Sequence, residues 1–209
     1  MGKHSTEKNR GVRKMKKNKL TIIAIILLCF ISTLNAQEIK PKSVRDPIKD
    51  HVILVGRVVY KNPIDHEARK PADPKLEKYF TKADSVRIRH SKSATTFKAG
   101  EIGEPFFLLT PKKNKTNKVD MYGFDVNLFS RAAYRFFCPV FSTITVPEGA
   151  KYLYVGTFEY DFDYALRVKS VNHYDEYDQA CEWIKIATGR DDVELIRAEL
   201  EPLEEEKKD

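Results

Sequence analysis

His51-Val52-Ile53-Leu54-Val55-Gly56-Arg57-Val58-Val59-Tyr60 is apolar on both alternating faces and rich in β-branched side chains. A run of that kind suits an interior strand, covered on both sides of its sheet. Other strand signals follow at short intervals. Ser85 to His90 alternates, with Val86 and Ile88 on one face and Arg87 and Arg89 on the other. Glu104 to Thr110 is a short apolar run introduced by Gly100 and Gly103. Tyr122, Phe124, Val126 and Leu128 alternate with Gly123, Asp125 and Asn127, which predicts a strand with one wet face.

Ala133 to Val146 is too long for one regular strand and contains Pro139. Proline cannot donate to a ladder, so an edge, a bulge or a change of sheet is expected there. Pro147-Glu148-Gly149-Ala150 has turn chemistry and leads into strands over Lys151 to Phe162 and Leu166 to Val171. A helix is predicted from Asp175, a cap candidate, with Tyr177, Cys181 and Ile184 at near-helical spacing and Gly189 as its stop. A helical turn over Lys75 to Lys82 and a last strand over Val193 to Leu200 complete the reading. Many short strands with turns between them and one late helix predict a mainly β chain, a two-sheet β-sandwich.

The amino end has a different character. Lys3, Lys8, Arg10, Arg13, Lys14, Lys16, Lys17 and Lys19 face one acid, Glu7, and an uncharged apolar run fills residues 20–34. That run would cover roughly 22 Å as a helix, short of the ~30 Å core of a bilayer. With Ala36 before a polar stretch, residues 1–36 read as a secretory signal peptide, cut after Ala36, or as an uncut anchor. The domain is then exported, to the periplasm or cell surface, with residues 37–50 as a tether, 51–200 as the sandwich and 201–209 as an acidic tail. Cys29 opens a third route, lipidation, although bulky Leu28 stands where lipoproteins carry a small residue.

Of the 37 basic and 30 acidic residues, eight and one lie in the leader, which leaves 29 of each. The mature part is therefore near neutral and lacks the basic stripe of a nucleic-acid binder. The densest remaining cluster, Pro111 to Lys118, reads as a solvated loop or a contact for an anionic envelope surface. Any membrane contact otherwise runs through the leader. Cys138 and Cys181 are either an exported disulfide or two free thiols.

No phosphate loop, His-Glu-x-x-His, Gly-x-Ser-x-Gly or Cys-x-x-Cys occurs, so no catalytic residue, metal or cofactor is expected. His66 in Asp65-His66-Glu67, His173 before Asp175, Glu176 and Asp178, and the pair Asp161 and Asp163 are better read as loop, cap and strand-surface groups. The richest binding signal is aromatic. Tyr152, Tyr154, Phe158, Tyr160, Phe162 and Tyr164 share one parity, with Gly156 in the gap. In a regular strand they form one face, either the core between two sheets or an exposed platform for sugar rings or a protein.

The stretch Thr145-Val146-Pro147-Glu148-Gly149-Ala150-Lys151-Tyr152-Leu153-Tyr154-Val155-Gly156-Thr157-Phe158 resembles small exported bacterial envelope sandwiches, many of them lipoproteins. In those a Pro-x-Gly turn leads into a Tyr-x-Gly strand. Gly103-Glu104-Pro105-Phe106-Phe107 and Asp175-Glu176-Tyr177-Asp178-Gln179-Ala180 fit the same arrangement, so the resemblance spans residues 51–200. It implies an immunoglobulin-like or transthyretin-like sandwich in the cell envelope, without catalytic residues. From the residues themselves, the expected role is non-enzymatic, with an envelope protein as partner or, through the 152–164 aromatics, a glycan.

Overall fold

The computed structural model describes residues 43–203 apart from 70–82, 93, 97, 111, 112, 114 and 130–133. The leader with Cys29, the expected turn over 75–82 and residues 204–209 lie outside the described residues. The described residues form ten strands: β1 (Ile53–Tyr60), β2 (Ser85–Arg89), β3 (Gly100–Glu101), β4 (Pro105–Leu109), β5 (Lys118–Leu128), β6 (Tyr134–Thr145), β7 (Tyr152–Phe162), β8 (Val168–Tyr174), β9 (Ile196–Arg197) and β10 (Leu200–Pro202). The one α-helix among the described residues, α1 (Tyr177–Thr188), lies between β8 and β9. No helix among them is long and apolar enough to cross a membrane.

The strands form a two-sheet β-sandwich. The first sheet has the order β4-β1-β7-β8, with β9 also on β7, and the second the order β10-β6-β5-β2-β3. β1 is interior, antiparallel to β4 and parallel to β7, and its residues from Ile53 to Val55 are all buried. This explains its apolar character on both faces. One face packs into the inter-sheet core with Leu54 and Val58, beside Phe106, Leu108, Phe124, Val126 and Ile144. The other face, with Ile53 and Val55, packs under α1 against Ala180 and Ile184.

β7 does not keep the single parity that the sequence predicts. Val55 pairs with Tyr154 but Gly56 with Gly156, so Val155 is an extra residue and β7 bulges against β1. Gly156 takes φ +94°, which a side chain resists. The bulge divides the aromatic row. Tyr152 and Tyr154 join the cluster under α1, while Phe158 and Tyr160 join the inter-sheet core.

β6 runs unbroken through Pro139, and the expected irregularity is a bulge. Met121 pairs with Ser142 and Gly123 with Pro139, so Val140 and Phe141 together stand opposite Tyr122. β10 covers only Ser142 to Ile144 of β6, which leaves Pro139 on an open edge where its missing N–H costs nothing.

Two boundaries differ from the expectation. Residues 43–50 do not hang free: the Val44 N–H donates to the Ala187 carbonyl at 2.9 Å, and Asp46 meets Lys151, Tyr152 and Arg190. The last expected strand is two short ones, β9 on the first sheet and β10 on the second, so the chain crosses the sandwich at Ala198 and Glu199. Helix α1 begins one residue beyond Glu176, with the Asp175 carboxylate accepting the Tyr177 N–H at 2.9 Å, and ends at Gly189 in the left-handed conformation.

Candidate functional site

The aromatic row of β7 is not an exposed platform. Tyr152, Tyr154, Phe158 and Tyr160 are buried, and each is engaged. The Tyr152 hydroxyl donates to Asp46 at 2.8 Å, and burial with that carboxylate pushes its phenol up to about 12. Tyr154 packs edge-on against Tyr177, and its hydroxyl accepts the Glu176 N–H. Phe158 meets Phe124 edge-on at 5.1 Å and lies under His173 at 4.6 Å. The Tyr160 hydroxyl donates to the Pro139 carbonyl at 3.0 Å. Phe162 is half-buried against Tyr60 and Phe136, and Tyr164 alone is open to solvent, 88% exposed beside Arg69. A buried ring cannot stack on a sugar, so this row serves packing.

Cys138 and Cys181 do not form a disulfide. Both are free thiols: Cys138 sits in the inter-sheet core and Cys181, on α1, packs against the cluster between that helix and the first sheet, so the first sheet separates the two. Burial, with the Asp125 charge nearby, pushes the Cys138 thiol up.

The polar groups singled out in the sequence each have specific partners. His66 spans two acceptors, the Ile64 carbonyl and the Asp84 carboxylate, each at 2.8 Å, and Asp84 also accepts from the Tyr60 hydroxyl and the Phe129 N–H. The latch holds the loop after β1 to the start of β2. His173 has its Nε2 2.9 Å from the Val155 carbonyl exposed by the bulge. Beside it lies an open cleft of about 280 Å³ whose charges, Asp175 and Arg197, pair with each other. Asp161 faces Lys61 and Lys169, and Asp163 binds Arg167. Among the described residues no three His, Cys, Asp or Glu side chains are grouped to hold a metal ion.

A different face gathers exposed aromatic and basic groups: the outer side of the second sheet, built by β2, β5 and β6. The register sets Arg87 opposite Asp125 and Asp125 opposite Phe137. In the next row outward-facing Arg135 lies opposite Asn127. Asp125, expected on a wet face, is only 1% exposed, because two arginines close over it. Arg89 brings its Nε within 3.2 Å of both carboxylate oxygens, and Arg135 donates from Nη2 at 2.7 Å. A buried carboxylate between two guanidiniums is compensated, and the planar forks are held in one orientation.

Aromatic rings continue the face. The Arg89 guanidinium lies 5.0 Å from the centre of the Phe137 ring. Phe137 in turn covers Gly123, where an added methyl would come within 3.0 Å of ring carbons. At the β6 bulge Phe141 takes φ +52° and is 51% exposed, with Phe137 at 5.9 Å and Tyr122 at 6.3 Å, both edge-on. A left-handed phenylalanine is strained, and such strain concentrates at functional positions. Arg89 and Arg135 pair with Asp125 and Arg87 lies opposite it in the register, so this end of the face carries more positive than negative charge, while Asp120, held by Thr143, lies toward the other end.

Sequence reasoning set out the wet parity of Arg87 and Arg89 but missed Phe137, Phe141 and Arg135 as a face. The signal was present, since residues 135, 137 and 141 share a parity in β6. Dividing that segment at Pro139 hid it. In comparisons with protein-family models, curated proteins and solved structures, the chain matches none.

Proposed function

We propose that this chain is an exported, non-enzymatic envelope protein whose sandwich docks onto an envelope component through the outer face of the second sheet. The observation that carries this reading is the half-exposed Phe141 ring at a strained bulge, linked through Phe137 to Arg89, which the buried Asp125 holds in place. Pre-fixed side chains lose little freedom on association, which favours binding. The leader supplies the expectation of export, and the absence of catalytic motifs in the sequence supports a binding role.

A photo-crosslinking residue placed at position 141, and separately at position 186 on the exposed side of α1, tests the reading in the native host envelope. Ile186 is a matched control, being 44% exposed. Adducts from position 141 and none from 186 are expected. Equal labelling from both, or none from 141, would remove the docking role from this face.

A further inference from the structure

The chemistry of the face narrows its ligand, and this step rests on the docking reading above. We infer that the outer face of the second sheet takes an acidic saccharide, with sugar rings against Phe141 and Tyr122 and sugar carboxylates on Arg87 and Arg135.

Charge complementarity gives the acid. Asp125 already takes hydrogen bonds from Arg89 and Arg135, and Arg89 spends its Nη1 on the Lys92 carbonyl. The Arg135 side chain is still 53% exposed, and Arg87 is exposed with no ion pair among the described residues. These two guanidiniums are thus the ones with N–H groups to offer, and a planar fork matches a carboxylate in two parallel bonds. They stand on β2 and β6, either side of β5. Two strand spacings and an offset of one row along the strands put their backbones roughly 12 Å apart. Acid groups repeating along a uronic acid chain can reach both.

The surrounding groups favour a sugar over a bilayer. Tyr122 and Phe137 are half-buried between strands, so only Phe141 stands clear of the surface. One ring is a poor wedge for lipid, but it offers an apolar side to the C–H face of a pyranose. The half-buried Asn127, opposite Arg135, adds an amide for hydroxyls.

The test is affinity electrophoresis of the purified chain through gels containing polygalacturonate or neutral dextran, with flotation on phosphatidylglycerol vesicles alongside. Retardation by polygalacturonate and none by dextran is expected. Arg87→Ala and Phe141→Ala should each weaken it at least tenfold with unchanged thermal midpoints, and Arg135→Lys should weaken it less than Arg87→Ala. Arg87→Ala is the clean variant because it leaves the Asp125 pairs intact. Equal retardation by dextran, unchanged binding in both alanine variants, or capture by vesicles alone would overturn the ligand class. If polygalacturonate fails while Phe141→Ala still loses its envelope association, the saccharide is wrong and the docking face stands. If the variants keep that association, both readings fall.

Discussion

Gly56 on β1 lies opposite Gly156 on β7, and the two strands touch there with no side chain between them. A methyl on Gly56 would come 2.5 Å from the Gly156 carbonyl oxygen, and one on Gly156 would overlap the His173 ring at 1.9 Å. Gly156→Ala should cost roughly 2–4 kcal/mol, from the strained φ together with overpacking. Gly56→Ala, without the φ strain, should cost roughly 1–3 kcal/mol. Denaturant melts measure both, and a Gly156→Ala variant as stable as the parent would mean the bulge is absent.

A buried and an exposed member of the aromatic row should respond differently. Tyr160 is fully buried and Tyr164 is 88% exposed. Tyr160→Ala should lose ~3–5 kcal/mol, and Tyr160→Phe about 1 kcal/mol for the bond to the Pro139 carbonyl. Tyr164→Ala should change stability by no more than about 0.5 kcal/mol. A mild Tyr160→Ala would put that ring outside the core.

Acid should release the amino-terminal segment. The Lys151 ammonium, with the Tyr152 hydroxyl and Arg190, holds the Asp46 carboxyl down at about 2. A depressed carboxyl stabilises the docked form above its ordinary value, and that contribution fades as pH falls from about 4 toward the folded value. Hydrogen-exchange protection of the Val44 N–H, which bonds to Ala187, should drop over that window. In Asp46→Asn it should be low already and flat with pH. Parent protection that is constant down to pH 2 would count against the clamp.

Thiol chemistry should separate the cysteines. Cys138 should resist a disulfide-exchange reagent in the native state, and half-buried Cys181 should react slowly. Oxidised protein digested without reductant should give no peptide joining the two. Recovery of that peptide would contradict the placement of the two thiols on opposite faces of the first sheet.

Much of the fold was legible because burial writes itself into alternation. The Ile53–Tyr60 strand, the wet arginines of β2, the turn at Gly149 and the Gly189 helix stop each follow from local chemistry. What the sequence hides is where alternation slips. One extra residue at Val155 sends Tyr152 and Tyr154 under α1, and no residue type marks that slip except the glycine beside it. The site was obscured for a related reason. Asp125 looks solvated until the register brings Arg89 and Arg135, distant in sequence, over it. The path of the chain across the sandwich after Arg197 likewise has no local signature, because two-residue strands carry no period.

The parallel neighbour of β1 arrives late. Ile53 waits for Tyr152, roughly a hundred residues further along the chain, before one of its edges is covered. Until then a greasy, double-sided ribbon is loose in the nascent polypeptide, with its hydrogen-bonding rim unsatisfied. Such topology delays native closure until nearly all of the message has been translated.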